Sequence, residues 1–151
     1  VIISQPKDRI ADFVSDIIGE NHFPFENFSA LGLLKNDELI AGVIYNHYTG
    51  VNIMAHIAAV PGKRWMSREF LYAMFDYPFN QLGVRRITGL VPKKNRVARE
   101  FDTHLGFEYE GNMRNALPDD DMIVYGMLRE KCKWLKIKSV SGLNHTSIAA
   151  G

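Results

Sequence analysis

The residue types able to do chemistry gather at three places in the chain. His56 stands inside the apolar stretch at residues 51–60, and an unperturbed imidazole titrates near pH ~6.5, so it can accept a proton at neutral pH. Asn95, Ala98 and Asp102 fall along one side of a helix that holds them, because seven residues make almost two turns and about 10 Å. Lys63, Arg64 and Arg68 surround the start of a long helical pattern. There, positive side chains and the amides of Met66, Ser67 and Arg68 suit a phosphate. Proton transfer beside an anion site is the chemistry on offer. Plainer roles stand next to it: a histidine between Ala55 and Ile57 also suits a hydrogen-bonded core position, and Asp102 beside Thr103 and His104 also suits a solvated helix face. No His, Cys, Asp or Glu spacing resembles a metal-ligand set, so no metal is expected.

Periodicity defines the elements that must position these residues. Residues 1–4 read as a short first strand, and Ile10, Phe13, Val14, Ile17 and Ile18 recur at helical spacing until Gly19 and Asn21. Residues 22–27, aromatic and interrupted by Pro24, read as a loop on the surface or lining a pocket. Residues 29–34 and 39–45 make a hairpin about Asn36-Asp37, and Tyr48-Thr49-Gly50 turns into a third strand at 51–60. On that strand Asn52, Met54, His56, Ala58 and Val60 share one face, and Ile53, Ala55, Ile57 and Ala59 share the other.

Phe70, Leu71, Met74, Phe75, Phe79 and Leu82 predict a helix over 67–82. Pro78 removes its bond to Met74 and must kink or end it near Tyr77, at about 3 kcal/mol. Ile87 to Val91 is an apolar strand closed by Pro92. Asn95 then caps a helix whose Val97, Phe101 and Leu105 form a core-facing stripe, and Gly106 stops it. Residues 107–117 and 122–128 form a last antiparallel pair about a solvated acidic turn, Pro118-Asp119-Asp120-Asp121. From Ser139 the chain is small and polar, which predicts a mobile tail at 139–151 after one domain at 1–138.

Composition sets the outer limits. The 151 residues are 46% hydrophobic and 23% charged, which allows one substantial core. A net charge of +1 provides no global field for nucleic acid or an acidic membrane, so neither is expected as a partner. The one cysteine, Cys132, excludes an intrachain disulfide and fits a reducing compartment. Without a signal-peptide pattern or an apolar run of about 18 residues, a cytoplasmic location is expected.

Taken in order, Asn95, Ala98, Leu105-Gly106-Phe107 and Glu110-Gly111-x-x-Arg114 resemble the C-terminal half of the GNAT superfamily of acyl-CoA-dependent N-acyltransferases. The branch they resemble most is the ribosomal-protein N-acetyltransferases. The resemblance implies an α/β (α+β) fold with a mixed, mostly antiparallel twisted sheet of about six to seven strands and three to four helices on its faces. It implies transfer of an acetyl group from acetyl-CoA, as co-substrate, to a primary amine of a protein or small molecule in a ternary complex. It is also compatible with a homodimer. By the same resemblance, the backbone of Ile57, Ala58, Ala59 and Val60 would hold pantetheine and thioester, Asn95 would support the cofactor, and Gly62, Lys63, Arg64, Trp65, Met66, Ser67 and Arg68 would take the pyrophosphate. His56 would be the base. Many family members carry a tyrosine acid where this chain has Asp102. Asp102 serves as acid if its pKa is strongly raised, or as a base through water. His47 is the alternative base, and Tyr45, Tyr109 and Tyr125 are the alternative proton donors. The phosphate loop departs from the family pattern, since Gly62 is its single glycine. A catalytically silent binding module and a nucleic-acid-modifying enzyme are the rival readings.

Overall fold

The computed structural model describes residues 1–19 and 27–136. Most of the loop expected at 22–27, the expected closing residue Asn21, and the tail from Ser139 lie outside these residues. The elements run β1 (Ile2–Ile3), α1 (Lys7–Ile18), β2 (Ser29–Lys35), β3 (Glu38–Asn46), β4 (Asn52–Ala59) and α2 (Arg68–Asp76). After a π-helical turn (Tyr77–Gln81) come β5 (Arg86–Pro92), α3 (Arg96–Leu105), β6 (Glu108–Leu117) and β7 (Asp120–Leu128). The strands make one seven-stranded sheet in the order β1-β2-β3-β4-β5-β7-β6. Every neighbouring pair is antiparallel except β4 and β5. The mixed, mostly antiparallel sheet is the one expected.

The single parallel pair is short. Asn52 faces Arg86, Ile53 faces Ile87 and Met54 faces Thr88, and there the pairing stops, although the strands run on to Ala59 and Pro92. Each strand is held along its outer edge by an antiparallel partner, β4 by β3 and β5 by β7. With twist accumulating across the sheet, two strands anchored to different neighbours diverge, and a wedge opens between them.

Both faces of the sheet are packed. On one, α2 and α3 cover Leu31, Val43, Ile53, Ile87 and Ile123 with Phe70, Phe75 and Leu105, and Ala55, Ile57 and Ala59 border that cluster. On the other, Ile10 and Val14 of α1 cover Ala30, Ile44 and Ala58. The predicted alternation along β4 is therefore the observed one. The contact with α1 depends on the absence of a side chain at Gly42, where a Cβ would lie 3.0 Å from Val14 and 3.2 Å from Ile10. Gly42→Ala is expected to lower unfolding stability by about 1–3 kcal/mol, measured by urea denaturation, as overpacking does elsewhere.

The long helical pattern ends as α-helix at Asp76, and the π turn carries Pro78. The Met74 carbonyl that Pro78 cannot serve accepts the Tyr45 hydroxyl at 2.6 Å, and the buried Asp76 carboxylate accepts from Asn80 and Gln81 at 2.8 and 2.9 Å. Helix α3 departs from its expected stripe. Its inward arc is Ala98, Phe101 and Leu105, whereas Val97 is 79% exposed, because it lies about 100° around the helix from Ala98.

The acidic turn also differs from expectation. Asp120 and Asp121 already belong to β7, and the turn clamps the loop before α3. The Lys94 amide donates to an Asp120 carboxylate oxygen at 2.8 Å, Lys94 Nζ to the Asp119 carbonyl at 2.6 Å, and Lys93 Nζ lies 4.0 Å from Asp121.

Candidate active site

A cavity of about 340 Å³ occupies the wedge, walled by β4, β5 and the inward face of α3. The ladder tells which backbone groups face it. Val60 donates its amide to the Ile40 carbonyl at 2.9 Å, so with antiparallel alternation the even residues of β4 turn their polar groups to β3. The odd residues face β5 instead: the Ala55 N–H completes the last bridge, to the Thr88 carbonyl, and beyond it the Ala55 C=O and the N–H and C=O of Ile57 turn into the wedge, where no strand pairs with them. The Arg129 amide donates to the Arg85 carbonyl at 3.0 Å, which by the same alternation leaves the N–H and C=O of Leu90 facing the wedge from β5. Polar backbone thus lines an otherwise apolar slot.

Two titratable side chains flank that slot from opposite faces of the sheet. Asp102 lies on the inward arc of α3, over Gly89, where an added Cβ would sit 3.5 Å from its Oδ2. Burial raises its pKa from 3.8 to about 7, since no ion pair or hydrogen bond to the carboxylate compensates among the described residues. On the α1 side of β4, His56 Nε2 donates to Asn46 Oδ1 at 3.0 Å. A carbonyl oxygen can only accept, so this bond puts the ring proton on Nε2 and leaves Nδ1 as the acceptor nitrogen. Burial, then the neighbouring His47, lowers the His56 pKa to about 4. Replacing Asn46 with aspartate sets a carboxylate against Nε2, and the His56 pKa is expected to rise by at least about 2 units in an NMR titration of its ring protons.

The cavity brings together His56, Ile57, Asn95 and Asp102, with Ala98 and the alternative His47 also in its wall. Asn95 caps α3, its Oδ1 accepting from the Ala98 amide at 3.1 Å, and so fixes where the helix begins against the slot. Ala58, Ala59 and Val60 lie further up the strand, off the cavity wall, and Ala58 packs towards α1. Asn46, 7% exposed, is a site residue that sequence reasoning missed; the one signal was a polar residue closing the apolar run of β3.

The loop from Gly62 to Arg68 sits apart from the cavity. Gly62, at φ +79°, makes a turn that side chains rarely adopt, and Lys63, Arg64, Met66 and Arg68 are exposed beyond it. Trp65 turns inward instead, 8% exposed, with its ring 5.0 Å from Phe101 and 6.2 Å from Phe70, so it ties the loop to α2 and α3. Ser67 is the cap of α2, accepting from the Phe70 amide at 3.2 Å, and its own amide is spent on the Trp65 carbonyl. Of the three amides expected to face a phosphate, that of Ser67 is therefore spent, whereas that of Arg68 stays in the open first turn, with Glu69 beside it.

The alternative proton donors are placed less favourably. Tyr45 spends its hydroxyl on Met74, Tyr109 is exposed on the outer hairpin, and the Tyr125 hydroxyl accepts from Arg99 at 3.1 Å. His47, at φ +53°, borders the cavity mouth.

No family model and no curated protein matches the sequence. Solved structures do match the fold. A spermidine N-acetyltransferase SpeG mutant (N152L) from Vibrio cholerae superposes with a TM-score of 0.71 at 14% identity, over 88% of this chain and 95% of that one. The structure of the same organism's enzyme described as a complex with CoA and spermine gives 0.68 at 15%, over 87% and 96%. A structure described as a probable acetyltransferase gives 0.55 at 19%, over 69% and 63%. At these identities the likeness is one of fold, and the fold is that of the GNAT acetyltransferases.

Proposed function

We propose that the protein is an acyl-CoA-dependent N-acetyltransferase that moves an acetyl group from acetyl-CoA to a primary amine of a small molecule or protein. The observation that carries this reading is the wedge itself: β4 and β5 part after Met54 and Thr88, and the Ala55 carbonyl and the N–H and C=O of Ile57 face a slot between two proton-handling side chains. Pantetheine amides pair with such an unpaired strand edge as a further strand would. The thioester carbonyl then meets a backbone N–H of β4, which stabilises the oxyanion formed on attack. The amine nitrogen attacks the carbonyl carbon, the C–S bond breaks, and an amide and CoA thiol are formed. The attacking nitrogen loses a proton, and the leaving sulfur gains one.

The faces of the sheet divide these two proton transfers. His56, neutral at pH 7, stands on the α1 face and takes the proton from the amine once attack has made that N–H acidic. Asp102, on the α2 and α3 face, is half protonated near pH 7, a strength that suits donation to a thiolate whose ordinary pKa is about 8.5. Lys63, Arg64 and Arg68 with the first amides of α2, beyond the far end of β4 and apart from the cavity, hold the pyrophosphate.

Calorimetric titration with acetyl-CoA and desulfo-CoA tests the reading. Micromolar binding is expected, weakened about tenfold in Lys63→Glu and Arg64→Glu. A folded sample that binds neither compound at millimolar concentration would end the proposal.

A further inference from the structure

A second cavity, about 510 Å³, lies beside the first and shares two wall residues with it, Asn46 and His47. Its remaining described walls include three tyrosines, together with Phe28, Ile53 and Leu82. Tyr45 and Tyr77 are almost wholly buried, with ring centroids 5.0 Å apart, and form the floor. Tyr48, 52% exposed, forms the rim. The floor hydroxyls are already occupied, Tyr45 donating to the Met74 carbonyl at 2.6 Å and Tyr77 bonding Ser29 Oγ at 2.7 Å. The floor thus has its polar atoms turned away to other partners, and the ring surface that the cavity presents is mainly that of Tyr48. Among the described residues no aspartate or glutamate lines this cavity, and Asp102 alone lines the adjoining one.

We propose that the tyrosine-lined cavity is the acceptor subsite and that it takes an aromatic or large apolar group carried next to the reacting primary amine. The inference rests on the acetyltransferase reading, because it places the amine at the shared wall, beside His56 and its partner Asn46. An amine whose apolar body fills the tyrosine cavity presents its nitrogen through the Asn46–His47 border towards the slot. The same surroundings strip water from the ammonium and favour its neutral, nucleophilic form. A polyamine fits the described walls less well, since each further ammonium calls for a carboxylate and none of the described residues lining this cavity supplies one.

The experiment uses 2-phenylethylamine and 1,4-diaminobutane as probes, with the whole chain. Binding of each to the protein without acetyl-CoA is followed by NMR shift titration at pH 8. Transfer is then followed by thiol release with acetyl-CoA present. Tyr48→Ala removes the rim ring at an exposed position, and Tyr48→Phe restores the ring without the hydroxyl. The expected result is that 2-phenylethylamine binds, that Tyr48→Ala weakens it about tenfold, that Tyr48→Phe does not, and that its kcat/KM exceeds that of 1,4-diaminobutane by at least about tenfold. No binding of 2-phenylethylamine, binding indifferent to Tyr48→Ala, or preference for the diamine overturns the assignment. If the aromatic amine binds in this way but CoA does not, the transfer reading fails while the subsite stands.

Discussion

Asp102→Asn is expected to stabilise the fold at pH 8 while removing most of its activity. The carboxyl titrates near 7 in the folded chain against 3.8 when unperturbed, so above pH 7 the fold carries an ionised group in a site that disfavours it. A gap of about 3 units at 1.36 kcal/mol each costs roughly 4 kcal/mol. Burying an incompletely bonded asparagine amide returns about 1–2 kcal/mol of that, leaving a net gain of about 2–3 kcal/mol in urea unfolding at pH 8. In transfer assays kcat should fall by about 100-fold, because asparagine has no acidic proton to give. A structural role alone would not move stability and turnover in opposite directions.

The pH dependence of stability carries a further sign. Asp102 has a raised folded pKa, so its contribution is fully present below pH 3.8 and is lost as pH rises to about 7. His56 has a lowered one, so its contribution is present above 6.5 and is lost as pH falls to about 4. Between pH 4 and 6.5 the two slopes oppose and nearly cancel. Asp102→Asn removes one of them, and its stability should therefore fall by about 3 kcal/mol between pH 6.5 and 4, where the unmodified chain stays flat from this pair. A mutant profile as flat as that of the unmodified chain would show that the two groups do not titrate as the structure implies.

Ala98→Phe is the second large effect. Ala98 projects from α3 into the wedge without closing it, and a benzyl group there fills much of a cavity of about 340 Å³. CoA should bind at least ~100-fold more weakly, which corresponds to about 3 kcal/mol. Thermal unfolding should shift by only a few degrees, because the residue is partly exposed and remains helix-compatible. Ala98→Ser serves as the control that leaves binding intact. Unchanged CoA affinity in the phenylalanine variant would show that pantetheine does not lie in the wedge.

Much of this architecture is legible along the chain. The apolar run at residues 51–60 gives the strand, and the two-residue period of its side chains gives its faces and the side on which His56 lies. The cap at Asn95 and the stop at Gly106 frame α3 to the residue, since both depend on local hydrogen bonds. The same local reasoning misplaces Val97, because helical spacing defines an apolar arc only to within about one residue. It also takes Asp119 to Asp121 for a solvated turn, because their partners on the loop before α3 come from more than twenty residues away.

By itself, then, the sequence determines the elements, their order, and the helix that carries Asn95, Ala98 and Asp102 on one side, since those follow from local backbone geometry and spacing. The tertiary structure alone decides the chemistry. The wedge exists because β4 and β5 are anchored to different antiparallel neighbours; Asp102 becomes an acid near neutrality because burial there withholds water and supplies no cation. The imidazole of His56 receives its tautomer from Asn46, ten residues away on the neighbouring strand. Desolvation and cross-strand hydrogen bonds depend on what surrounds a group, and neighbours in space are not written in the spacing of residues along a chain.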